Sequence, residues 1–212
     1  MILDLTTMKS SQIYHTMTQT LIPRPVAWVL SQHESGHFNL APFSYFTAVS
    51  SAPALLMFSV GNKPSGEQKD TKENIAENNY FVVHIAASNQ AESVTESSRG
   101  LPADESELSH ISETLVEFEG FPLPRLEKAP VAFGCRLHHT QQVEGAPQTL
   151  VFGEIERIYI ADSCCETQRK ERPDGSVSER LMVDALKVDP IARLGADQYG
   201  VLGKILTIPR PK

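Results

Sequence analysis

Cysteine is scarce in these 212 residues: there are three, Cys135, Cys164 and Cys165. An odd number with one adjacent pair is no secretory disulfide framework. Long apolar runs are missing too, and none approaches the ~20 residues a membrane helix needs. The first residues, MILDLTTMKSSQ, carry no basic segment leading into an apolar stretch, so no signal peptide is expected. A reducing, cytoplasmic home with no membrane partner follows as an expectation. The chain also lacks a basic block. Lys and Arg number 19 against 26 Asp and Glu, for a formal charge of −7. Phosphate neutralisation supplies most nucleic-acid affinity, so nucleic acid is not an expected partner. Any anion must be held by a local cluster of cations and N–H groups, against the net field. There is no G-x-S-x-G, H-E-x-x-H, C-x-x-C or G-x-G-x-x-G. A serine hydrolase, a zincin, a thioredoxin and a Rossmann dehydrogenase are therefore unsupported.

What the chain does have is an ordinary globular composition, 41% hydrophobic, and enough length for a core without staples. Its 14 Pro and 12 Gly are scattered, as suits many short strands joined by turns. Pro25–Ser31 (PVAWVLS) and the segment from His37 read as a hairpin about the turn His33–Gly36. Ala54–Val60 (ALLMFSV) and Tyr80–Ala87 (YFVVHIAA) read as strands covered on both faces. Asp70-Thr-Lys-Glu73 has capping-box spacing, which predicts a helix from Asp70, its N-cap, to about Asn78. A second helix is expected over Asn89–Arg99, and a loop-rich excursion over Leu101–Lys128. Val131–Val143 and Leu150–Ala161 form a long antiparallel pair about Glu144–Pro147. Cys164–Glu179 reads as polar and turn-like. With no βαβ alternation, the fold class is mainly β: a β-barrel with a few short flanking helices, one domain over 1–212.

Two segments are candidates for chemistry. Gly61–Thr71 (GNKPSGEQKDT) lies between a buried strand and a helix start, where free N–H groups, a Lys and a hydroxyl commonly meet a phosphate. It misses the Walker pattern, because Glu67 stands where Lys is required. Taken alone, these residues favour a solvated loop before an ordinary capped helix; a single phosphate on Lys69 and Thr71 is the alternative. Asn39–Ser51 (NLAPFSYFTAVSS) places small residues, aromatics and hydroxyls where a chain would approach a flat ligand; a bulged strand with solvated hydroxyls is the plainer reading. Trp28 reads as a packing residue and His84 as a satisfied core histidine. On an unbroken strand Cys135 and His139 share one side and His138 takes the other, so no metal site is expected.

Taken in order, Pro23-Arg-Pro-Val-Ala-Trp-Val29, Asn39-Leu-Ala-Pro-Phe-Ser-Tyr-Phe46, Val49-Ser-Ser-Ala-Pro53, Met57-Phe-Ser-Val-Gly61, Lys69-Asp-Thr71 with Asn74-Ile75, and Tyr80-Phe-Val-Val83 carry a resemblance. Weaker echoes follow at Ala129-Pro-Val131, Phe152-Gly-Glu154 and Arg193-Leu-Gly195 with Tyr199. The chain resembles the flavin reductase-like, FMN-binding split-barrel family, in particular its flavoredoxin-type branch, over about 20–205. It departs at Ala52-Pro53-Ala54, where the family usually shows an acidic or Asn residue and two prolines. The resemblance implies a split β-barrel homodimer with FMN near the subunit interface. It implies that Ala41, Pro42, Phe43 and Ser44, with Ala48, Val49 and Ser50, run along the ring and ribityl chain. Ser59, Val60 and Gly61 continue towards the phosphate, and Lys69, Asp70 and Thr71 hold it. The implied activity is an NAD(P)H-dependent flavin reductase that passes hydride or electrons through FMN, with NADH or NADPH as reductant. The alternatives are a flavoredoxin-like electron carrier to a redox protein partner and a non-enzymatic flavin-binding protein. No catalytic side chain is identified, since the flavin carries the chemistry.

Overall fold

The computed structural model describes residues 1–102, 105–171 and 174–211. Seven strands make one antiparallel sheet: β1 (Ala27–Gln32), β2 (Phe38–Phe43), β3 (Phe46–Ser51), β4 (Ala54–Val60), β5 (Tyr80–Ile85), β6 (Val131–Gln142) and β7 (Thr149–Ile160). Their order is β2-β1-β5-β6-β7-β4-β3. The two edge strands, β2 and β3, are consecutive in the chain, joined through Ser44 and Tyr45, and the Ser59 N–H of β4 donates to the Tyr45 carbonyl at 2.9 Å at that junction. The sheet thus curls on itself as the expected split barrel.

Period-two alternation sorts the side chains. Ala27 and Val29 of β1, Phe43, Phe58, Val60, Phe81, Val83, Cys135 and Val151 fill the barrel interior. Trp28, Leu30, Leu40 and Val82 point outwards, yet are buried under the excursion through Phe118, Leu123 and Leu126. Cover on both faces explains the nearly continuous apolar runs in β1 and β5. The outer layer is tied by polar bonds: Trp28 Nε1 donates to Ser97 Oγ at 2.8 Å. Trp28 is therefore a packing residue, as expected.

The helices are α1 (Ser10–Thr20), α2 (Asp70–Asn78), α3 (Ala91–Glu96) and α4 (Ala185–Val188). The α1 segment carries no strong sequence signal, because only Thr18 is buried and Lys9 caps it without a side-chain bond. The expected helix at Asn89–Arg99 is shorter; a 3-10 turn at Ser88–Gln90 precedes α3. Cys164–Glu179 is not mainly turn. Cys165–Glu171 (β8) and Val177–Val183 (β9) pair as a projecting hairpin, whose largely exposed faces hide the alternation that marks a half-buried strand. Among the described residues no helix is long and apolar enough to cross a membrane.

Candidate functional site

The site grows from the N-terminal end of α2. Lys69 is the cap residue, with extended backbone (φ −79°, ψ 142°), and it supplies no side-chain acceptor to the first turn. The leading N–H groups of a helix have no intrahelical partner, so this end presents free donors and a partial positive charge. Asp70 is not the N-cap expected from the sequence. It is the first helical residue, and its carboxylate turns sideways to Lys63 Nζ at 2.7 Å. An ammonium is a stronger partner for a carboxylate than a neutral amide. The same contact raises the Lys63 pKa above its ordinary value.

The helix is fastened by one face. Ile75 enters the barrel interior. Asn39 Nδ2 of β2 donates to Thr71 Oγ1 at 2.8 Å, and Asn74 Nδ2 donates to Ser31 Oγ of β1 at 3.2 Å. Asn78 Nδ2 bonds the Gln32 carbonyl. Thr71, Asn74, Ile75 and Asn78 recur at the spacing of one helical face. Ile75, Asn74 and Asn78 hold the helix on the barrel and on β1, and the Asn39 bond links its first turn to β2.

There the surface opens into a groove of about 560 Å³, within the range of small-ligand sites. Asn39, Ala41 and Pro42 of β2 line it together with Ser97 to Leu101 after α3. The loop residues Asn62 to Ser65, with Lys69, Asp70 and Thr71, close the end. Three cations, Lys63, Lys69 and Arg99, face two carboxylates, Asp70 and Glu107. Lys63 is paired with Asp70 and Arg99 with Glu96. Lys69 forms no ion pair among the described residues; its Nζ lies 5.6 Å from the centre of the Phe43 ring. Glu107 comes from the excursion, and its Oε2 accepts the Leu40 N–H of edge strand β2 at 2.9 Å. Burial pushes the Glu107 carboxyl above its ordinary range, and that amide bond partly offsets the shift.

Of the residues expected at the site, Ala41, Pro42, Lys69, Asp70 and Thr71 meet in this groove. Phe43 and Val60 do not offer their side chains, which are buried in the barrel. Ser44 sits where β2 turns into β3, 3.5 Å from Arg24 Nε. Ser59 and Gly61 are half-buried at the end of β4. Ala48, Val49 and Ser50 are exposed on β3 at a bulge and do not line the groove. Arg99 and Glu107 carry no sequence signal as site residues, because they reach the groove from segments distant in the chain; Lys63 lies within the candidate loop Gly61–Thr71 but is given no role there. Among the described residues no group of three or more His, Cys, Asp or Glu is placed to hold a metal ion. Cys135 and His139 do not share a side. A register shift between Leu137 and His139 inserts His138 as an extra residue and inverts the alternation. Cys135 is buried in the barrel, whereas His139 stacks on Phe152 at 4.2 Å in an exposed position. Burial also drives the Cys135 thiol far above its ordinary pKa.

The molecule is a split barrel with a groove of mixed charge at a helix N-terminus. The chain belongs to the flavin reductase-like family: residues 18–169 match the family model described as "Flavin reductase like domain". It is 33% identical over 208 residues to the uncharacterized protein YwrF of Bacillus subtilis, covering 96% of each chain. Nitrilotriacetate monooxygenase component B from Bacillus cereus is similar in structure, with 30% identity, 98% of each chain covered and a TM-score of 0.83. The 2-nitrobenzoate 2-nitroreductase NbaA of Pseudomonas fluorescens shares 25% identity at a TM-score of 0.81, covering 100% of this chain and 96% of its own. Family membership supports a flavin cofactor.

Proposed function

We infer that this protein is an FMN-dependent oxidoreductase, an NAD(P)H:flavin reductase whose groove holds FMN by its phosphate. The observation that carries this reading is the convergence of Lys69, the Thr71 hydroxyl and the uncapped α2 N-terminus at one end of the groove. That donor set fits a dianion: a free ammonium, a hydroxyl and backbone N–H groups are the usual phosphate ligands. FMN supplies the hydride and electron transfer when bound. The chain's own contribution is to bind, orient and shield. Ala41 and Pro42 line the groove with small side chains, and the Ser97–Leu101 segment, anchored to Trp28 through Ser97, lines it as well. The similar Bacillus cereus protein is named a monooxygenase component and the Pseudomonas fluorescens one a nitroreductase, both redox roles.

A homodimer in the cytoplasm is part of the reading. The projecting β8–β9 hairpin leaves Val177, Leu181 and Val183 exposed, and Val201, Leu202, Ile205, Leu206 and Ile208 are exposed along the C-terminal segment. An isolated two-stranded ribbon is marginal in water, and a second copy would cover it. Light scattering should give twice the 23.4 kDa chain mass.

Anaerobic mixing of FMN-loaded protein with NADH and with NADPH tests the activity. The reductase reading expects at least one to bleach the flavin band within the turnover time of an ordinary enzyme. Bleaching by neither, with FMN retained, removes the reductase and leaves the electron carrier to a protein partner.

A further inference from the structure

We propose that Asn39 is a positioning residue that turns the Thr71 hydroxyl into an obligate donor, which makes the groove discriminate phosphorylated flavin from flavin alone. This rests on the FMN reading above and adds to it the residue that sets the selectivity.

Asn39 Nδ2 donates to Thr71 Oγ1 at 2.8 Å. A hydroxyl has one hydrogen and two lone pairs. With an amide donor on one lone pair, its hydrogen must leave on another side. A threonine inside a helix commonly spends that hydrogen on the carbonyl three or four residues back. For Thr71 those carbonyls belong to Glu67 and Gln68, which precede the helix, and the Thr71 hydroxyl bonds neither; its one bond is the one it accepts from Asn39. Among the described residues the Thr71 hydrogen has no acceptor, and Thr71 is only 1% exposed. An unspent hydroxyl hydrogen at a buried position is costly to leave unmet. The cavity that Asn39 and Thr71 line together, beside Lys69, is where an acceptor enters. Phosphate oxygens accept and cannot donate when ionised, so they suit this geometry.

Docking of α2 is a separate matter. Ile75 in the barrel and the bonds of Asn74 and Asn78 hold the helix without Asn39. Loss of the Asn39 amide therefore frees the hydroxyl to rotate without releasing the helix.

The test is a double-mutant cycle read by flavin fluorescence titration with FMN and with riboflavin. Wild type should prefer FMN. Asn39→Ala should weaken FMN about five-fold, the worth of one neutral hydrogen bond, and leave riboflavin within about two-fold. In the Thr71→Val background Asn39→Ala should add nothing, because the two act as one unit. If Asn39→Ala is insoluble, Asn39→Ser, too short to bridge, carries the same comparison. FMN binding that is unchanged or tighter in N39A overturns the proposal. So do equal losses for both ligands, which mark a structural role, and full additivity with T71V. Wild type binding FMN no tighter than riboflavin, or T71V leaving FMN untouched, overturns instead the phosphate site on which the proposal rests.

Discussion

His84 Nε2 accepts the Leu126 N–H at 3.0 Å, while its Nδ1 lies 3.1 Å from the Trp28 carbonyl oxygen. One ring thus joins β5 to β1 and to the excursion that covers the outer face of the sheet. Both contacts are satisfied by the neutral ring protonated on Nδ1. The imidazolium has a hydrogen on Nε2 as well, which would meet the Leu126 N–H head-on.

Burial accordingly lowers the His84 pKa to about 4, with the Trp28 carbonyl opposing the shift and Arg125 adding to it. The unfolded ring takes its proton near pH 6.5 and the folded one does not. Between those values the unfolded state binds more protons, so stability is full above about pH 6.5 and falls as the pH drops towards 4. The loss from this group should be about 3 kcal/mol by pH 4. Denaturant unfolding across that range checks it, and His84→Gln should flatten the slope.

Gly153 of β7 lies against the barrel interior. A Cβ there would run into the Phe81 ring and lie 3.2 Å from Cys135 Cβ. Gly153→Ala should destabilise by about 1–3 kcal/mol through overpacking. Adding Phe81→Leu should recover part of that in thermal melts, since it removes the clashing ring edge.

Trp28 is the only tryptophan and is fully buried. Its native fluorescence should be blue-shifted and should move red on unfolding. Trp28→Phe loses the bond to Ser97 and leaves a void, for about 1–3 kcal/mol by denaturant titration.

Asp70 neutralises Lys63 at the groove. Asp70→Asn removes a carboxylate beside the proposed phosphate and frees that ammonium. FMN should bind several-fold tighter, with riboflavin unaffected. Stability should change by under about 1 kcal/mol, because the pair is partly exposed.

Much of the barrel was legible in the sequence. The hairpin about His33–Gly36, the doubly covered strand at Tyr80–Ile85 and the long pair after Val131 all announce themselves by apolar runs and turn residues; Ala54–Val60 is a strand as expected, but its outward Met57 and Ser59 are only half-buried, so it is not covered on both faces. The β8–β9 hairpin was not, since a ribbon exposed on both faces needs no alternation. The bulge at His138 was equally silent, because an extra residue leaves no mark in composition. At the site, Lys69 and Thr71 stand out beside a helix start. Asn39, Glu107 and Arg99 lie 30 to 40 residues or so from them along the chain, and tertiary contact alone brings them into the groove. Asp70 has capping-box spacing yet serves a lysine, because pairing with a charge outcompetes the cap.

In the proposed function the free end of α2 holds a flavin by its phosphate, with Lys69, which has no ion pair among the described residues, as its cation. The direct measurement is a titration of FMN and riboflavin into wild type and Lys69→Ala. A charge-assisted contact is worth about 1.5–3 kcal/mol, so FMN binding should fall by roughly ten- to a hundred-fold in the variant while riboflavin binding holds. Equal FMN affinity in the two proteins, or no flavin uptake by wild type, would contradict the account.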